Sequence, residues 1–198
     1  AVDSVSPVSP DVLREPMRDV VESGGFPEVV APFVPELVFD VDEPDPGADR
    51  SPQVRAALAG VVKVLGRADS CAAALEGSGV VVAPGRVLTN AHVVAGTSRV
   101  VVAASEGSPV VAEVVYLDTD ADVAVLAAQG LEAPVVALDA DVAGPGDDAV
   151  VAGYPNGGGL DTENARLRSR SNLVGLDIYG REEVLREVVA FRGQVQPG

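Results

Sequence analysis

The chain has 198 residues, 47% of them apolar, which is enough to build one large domain or two small packed barrels and excludes wholesale disorder. Lys and Arg number 14 against 30 Asp and Glu, a formal charge of −16, so phosphate-rich surfaces are repelled and no nucleic-acid partner is expected. One His and one Cys fall short of the roughly four ligands a structural zinc draws from these residue types, and no metal or cofactor is expected; no apolar run approaches the roughly 20 residues of a spanning helix.

Residues 1–50 differ from the rest. They carry 8 of the 15 prolines and 12 of the 30 acids, with only Arg14, Arg18 and Arg50 as basic residues. Ser9-Pro10 has the chemistry of a helix start, Ser as N-cap and Pro at the first helical position, and Pro16 should break that helix. From Gly24 to Arg50 the segment is extended and punctuated by proline. It is expected to be an acidic arm or linker, either a solvated tether or a segment lying on a folded domain. The start at Ala1, and the end on Gln196-Pro197-Gly198 at what looks like the beginning of a turn, suggest a piece of a longer protein.

From Ser51 onward the texture is that of an all-β domain. Ser51-Pro52 should cap a short helix ending near Leu58. Short Val-rich runs follow, separated by Gly, Pro, Asn and Asp: Val61–Leu65, Val80–Ala83, Arg86–Thr89, Arg99–Ala103, Val110–Leu117, Val123–Ala127, Val135–Leu138, Ala149–Ala152, Ala165–Leu173 and Val188–Val195. Their spacing argues for barrels or a sandwich, and no long helical period lies between them to support an α/β sheet. Arg181–Val188 is read as a second short helix or a loop. Gly157-Gly158-Gly159 is read as a flexible loop, since no strand–helix context makes it a phosphate cradle. Arg166, Arg168 and Arg170 alternate along one strand. They form a solvated face or, in the sharper reading, a docking surface for the acidic first fifty residues, with little energy in each surface pair.

Two stretches carry chemistry. In Gly77-Ser78-Gly79 the glycines let a strand pass closely under its neighbour, and Leu88-Thr89-Asn90-Ala91-His92-Val93 then presents the sole histidine just after a strand. A His held rigidly on a short turn at a barrel edge is suited to act as a general base. Thirty residues on, Asp118-Thr119-Asp120-Ala121-Asp122 precedes an apolar run. Asp122 stands at the strand start, where it can accept the imidazole Nδ1–H and fix the tautomer; by itself it would be read as a strand cap. Asp118 and Asp120 are read as solvated.

Together these motifs resemble the trypsin-like (chymotrypsin-fold) serine proteases, in the order and spacing of that family. HtrA-type proteases share much of the pattern. The Pro-rich approach at Gly24-Gly25-Phe26-Pro27-Glu28, the loop Gly153-Tyr154-Pro155-Asn156-Gly157-Gly158-Gly159 and Asp177-Ile178-Tyr179-Gly180 make the chain more similar to the actinobacterial membrane-anchored periplasmic proteases of acid resistance. The resemblance covers essentially the whole chain, though loosely over residues 1–50.

The resemblance implies two antiparallel β-barrels with the active site between them: a first barrel in residues 51–130, and a linker with an incomplete second barrel in 131–198. It makes His92 the general base and Asp122 its orienting partner. Gly198 matches the first Gly of the family's Gly-Asp-Ser-Gly-Gly-Pro motif, so an oxyanion-hole N–H is expected there and the nucleophilic Ser two residues further on. Gln194 is expected near the base of the pocket for the substrate side chain. Cys71 matches a cysteine that, in the periplasmic group, is bonded to one beyond the nucleophile; a buried free thiol is the plain alternative. The implied partner is a peptide or protein substrate. The implied location is the periplasmic or cell-envelope side, with transmembrane helices upstream. Competing readings are an HtrA-type quality-control protease with a downstream peptide-binding domain, and a protease fold kept as a binding module.

Overall fold

A computed structural model describes residues 40–68, 73–139 and 143–194. The expected helix at Ser9, the glycine stretch at 24–28, Cys71 and Gly198 lie outside them. The described chain opens with a 3-10 turn, Ala48–Arg50, and helix α1, Pro52–Leu58. Ser51 caps α1 as its residue type dictates, its hydroxyl accepting the Val54 N–H at 3.1 Å, with proline at the first helical position.

Six strands follow: β1 (Val61–Ala68), β2 (Ala73–Ala83), β3 (Arg86–Thr89), β4 (Arg99–Ala103), β5 (Val110–Asp118) and β6 (Val123–Ala127), with helical turn α2 (Ala91–Val94) after β3. They close into an antiparallel barrel in the order β1-β2-β3-β6-β5-β4. Alternation drives the closure. In β1, Val62 and Val64 point inward and are fully buried, meeting Val87, Val102 and Leu126 from β3, β4 and β6. Each such side chain contributes about 1.5–3 kcal/mol on burial. Gly77 is required where β2 passes α2, because a Cβ there would stand 2.6 Å from Val93 Cγ2.

Three more strands, β7 (Asp148–Gly153), β8 (Asp161–Leu176) and β9 (Glu183–Arg192), form an antiparallel sheet in chain order. Among the described residues this sheet stays open. Ala165 and Ser169 are its buried residues, while Leu185, Val189 and Phe191 on β9 are exposed. The fold is therefore all-β: a closed chymotrypsin-type barrel beside part of a second.

Several elements differ from the sequence reading. Val135–Leu138 is not a strand. Its backbone meets the barrel through Val136 N–H to Val81 O, 2.8 Å, just past Val80, where the β1 ladder on β2 ends. Arg181–Val188 is neither helix nor loop: from Glu183 it pairs with β8, starting opposite Leu176. Its Val184-Leu185-Arg186-Glu187-Val188 alternation is a strand pattern once a partner stands beside it. Strand β2 begins well before Val80, since Ala73–Gly79 finds its ladder on β1.

The arginine row is interrupted. A β-bulge falls at Arg168, between Leu167 and Ser169, and breaks the even alternation. Arg166 pairs with Asp148 at 2.7 Å and Arg170 with Glu187 at 3.2 Å, both within the sheet. Arg192, at the end of β9, contacts residues 40–43 before α1, and Arg166 lines the same pocket. The Arg192 guanidinium donates to Val41 O at 2.6 Å and pairs with the Glu43 carboxylate. Asp45 N–H donates to Asp148 Oδ1 at 3.0 Å and Asp49 N–H to Asn164 Oδ1 at 2.9 Å.

Candidate active site

Strand β3 ends at Thr89, whose buried hydroxyl donates to Ser78 O at 2.7 Å and ties β3 to β2. Asn90 then turns the chain into α2. Its side chain does not cap that helix; its Nδ2 donates to Asp122 Oδ2 at 3.2 Å and Asp122 O at 3.1 Å. Ala91, Val93 and Val94 are buried, so the turn is anchored on both sides of His92 while the ring faces the cleft.

Asp122 arrives from the opposite direction. Asp118 at the end of β5 accepts the N–H groups of Asp120 and Ala121, at 3.1 and 2.8 Å, and folds the turn. These bonds, the Ala121 N–H first, hold the Asp118 carboxyl below its ordinary value of 3.8. Asp118 is thus a structural part of the turn rather than a merely solvated acid. Asp122 closes the turn with φ 57, in the left-handed region that aspartate tolerates better than most residues.

The structure brings His92 and Asp122 together. Asp122 Oδ1 accepts the His92 backbone N–H at 2.9 Å, and Oδ2 lies 2.7 Å from His92 Nδ1. With a carboxylate beside it, Nδ1 is the ring nitrogen that carries the proton, which leaves Nε2 as an acceptor. Burial by itself would raise the Asp122 carboxyl. The bonds from the His92 ring and backbone, and from Asn90, outweigh that and hold it below 3.8.

His92 lines a cleft of about 430 Å³ between the barrel and the second sheet, with Glu76, Ser78, Tyr154, Asp161 and Glu163 around it. The Gly153–Gly159 loop forms one wall and is pinned to the barrel. Tyr154 N–H donates to Ser78 Oγ at 2.9 Å, and Lys63 Nζ donates to Gly157 O. Gly157 has φ 64, and a side chain there would run into the Glu76 carboxylate. Gln194 is exposed at the end of the described chain and is not among the residues that line this cleft. No group of His, Cys, Asp and Glu that could hold a metal occurs among the described residues. Asn90 and Asp118 were not singled out by sequence reading as parts of the site; an Asn directly between strand end and His-bearing turn was the available signal for the first.

A rigid histidine–aspartate pair at the edge of a closed barrel, facing a cleft against a second sheet, is the arrangement of chymotrypsin-type peptidases. Residues 77–198 match the trypsin-like peptidase domain family, and the chain belongs to it. It is 39% identical over all 198 residues to the serine protease Rv3671c of Mycobacterium tuberculosis (strain ATCC 25618 / H37Rv), covering 50% of that protein. The chain thus spans about half the length of this relative. The crystal structure of Rv3671c protease in its active form matches with TM-score 0.78 and 43% identity, over 86% of this chain and 75% of that one. The HtrA-type protease AlgW with a tripeptide matches with TM-score 0.58 and 28% identity, over 64% and 42%.

Proposed function

We propose that the chain is the base-bearing part of a serine endopeptidase, in which His92 and Asp122 work with a serine expected two residues beyond Gly198. The observation that carries this reading is the pair of hydrogen bonds that one carboxylate makes with the His92 ring and the His92 backbone N–H. It holds the imidazole with Nε2 available to the cleft. In the reaction His92 takes the proton of the attacking hydroxyl, and Asp122 stabilises the imidazolium that results. His92 then returns the proton to the leaving amine. On this reading Gly198 N–H is one oxyanion donor and Gln194 borders the substrate side-chain pocket. Cleavage requires the residues that follow the chain.

A periplasmic location, a membrane anchor and a role in acid resistance enter as parts of the same proposal, resting on the resemblance carried by the Gly153–Gly159 and Asp177–Gly180 motifs. Docking of the acidic arm on the second sheet is supported by the Arg192, Asp148 and Asn164 contacts of residues 41–49. The likeness to AlgW supports an HtrA-type quality-control protease as a second reading. The test is hydrolysis of a protein substrate by the complete protein that carries this chain. His92→Ala should lower kcat by on the order of 10³–10⁶-fold. Near-full turnover by that variant refutes the mechanism.

A further inference from the structure

The β8–β9 hairpin turns back at its tip between Asp177 and Glu182, and this tip reaches across to the first barrel. Ile178 is 1% exposed and packs in one cluster with Ala91 and Ala95, with Leu117 against it. Ala91 and Ala95 bracket His92 on and just past α2. Leu117 directly precedes the Asp118–Asp122 turn. The Ile178 N–H donates to Thr119 O at 3.3 Å, and lower on the hairpin Arg186 Nε donates to Asp120 O. The tip therefore grips both segments that carry the dyad, one through packing and the other through two carbonyls.

The tip is shaped for this task. Asp177 Oδ1 accepts the N–H groups of Tyr179 and Arg181, at 3.1 and 2.7 Å, and Asp177 N–H donates to Glu182 O at 2.9 Å. The segments it grips lack comparable means of holding themselves. A four-residue helix is far too short to be stable alone, and α2 has no side-chain cap, since Asn90 is spent on Asp122. Asp122 sits in a left-handed conformation that its surroundings must maintain.

We infer that Ile178 is a positioning residue: it sets the spacing of α2 against the Asp118–Asp122 turn and hence the His92–Asp122 geometry, with Arg186 as its auxiliary. This rests on the proposed function only where it calls the dyad catalytic. Strand β9 of the same hairpin runs on toward Gln194 and the segment expected to carry the nucleophile. The tip thus ties the base to the nucleophile's half of the molecule.

The test uses the fact that His92 is the sole histidine of the chain. Its ring Nδ1–H, beside Asp122 Oδ2, should give a single low-field proton resonance in this chain. Ile178→Ala should move that resonance upfield and speed its exchange with water, with the Val62 and Val102 methyl signals of the barrel core unchanged. Ile178→Val should retain the parent signal. Arg186→Gln, at a half-buried position on β9, should shift it in the same direction as Ile178→Ala by a smaller amount. In the complete protein Ile178→Ala should lower kcat by about 10- to 100-fold with KM within twofold, the penalty of a small misplacement of a reacting group. A folded Ile178→Ala protein with lower melting temperature but unchanged Nδ1–H signal shows a merely structural residue and overturns the inference. If Ile178→Ala does not fold, an unchanged Nδ1–H signal in Arg186→Gln overturns it instead. A complete protein without peptidase activity refutes the proposed function and leaves the resonance to decide this one.

Discussion

Replacing Asp122 by Asn removes one charge and almost no volume, so its effect isolates the hydrogen bonding of the dyad. The carboxylate accepts from His92 N–H at 2.9 Å, from His92 Nδ1 at 2.7 Å and from Asn90 Nδ2 at 3.2 Å. An amide has one oxygen. If that oxygen keeps the His92 backbone N–H, the new NH₂ faces the imidazole Nδ1. The ring must then give up its Nδ1 proton and carry it on Nε2, the nitrogen that has to accept the hydroxyl proton. If the amide flips, its NH₂ meets the backbone N–H of His92, and two donors oppose each other. Either arrangement costs a charge-assisted bond, about 1.5–3 kcal/mol of stability. The wrong tautomer should lower kcat on the order of 10⁴-fold. At 1.36 kcal/mol per decade this is about 5 kcal/mol of lost transition-state stabilisation. The assay is steady-state cleavage of a chromogenic peptide by the complete protein, with thermal melting as the control for folding. A folded Asp122→Asn variant with kcat within tenfold of the parent refutes the argument.

Ser51→Ala removes the side-chain acceptor for Val54 N–H and should cost about 1 kcal/mol in a denaturant titration without changing the slope. Leu126→Ala, at a fully buried barrel position, should cost about 2–5 kcal/mol by the same measurement. Gly157→Ala faces both φ 64 and the Glu76 carboxylate; it should lower the melting temperature, and Glu76→Ala in the same chain should recover part of the loss. Asp118 and Asp122 are both depressed below 3.8 in the folded protein. Their stabilisation is therefore present above that value and lost as pH falls through their folded pKa values. The melting temperature should drop progressively below pH 3.8, and less steeply when Asp118 is replaced by Asn.

Much of the barrel is legible from local pattern. Arg86–Thr89, Arg99–Ala103 and Val123–Ala127 are strands to the residue, because β-branched alternation bounded by Gly, Pro and Asp is a property of near neighbours in the chain. The Ser51-Pro52 helix start is legible for the same reason, as a hydroxyl three residues from the N–H it satisfies. His92 and Asp122 are legible as candidates through residue type and context, thirty positions apart.

Pairing and register belong to the tertiary structure. Val135–Leu138 has as good a strand sequence as its neighbours, yet it meets β2 past the end of the β1 ladder, through Val136 N–H to Val81 O, and is not extended into a strand. Arg181–Val188 has a weaker one, yet β8 supplies a partner and from Glu183 it extends. The Arg192 grip on residues 40–43 joins positions some 150 residues apart, and no local pattern distinguishes Arg192 from Arg166 or Arg170. The left-handed turn at Asp122, the diversion of Asn90 from capping to the dyad, and the burial of Ile178 beside α2 all depend on which surfaces meet once the barrel has closed. Chain-local chemistry selects the elements and nominates the reactive residues, whereas their distances and bond partners arise from contacts between segments far apart in sequence.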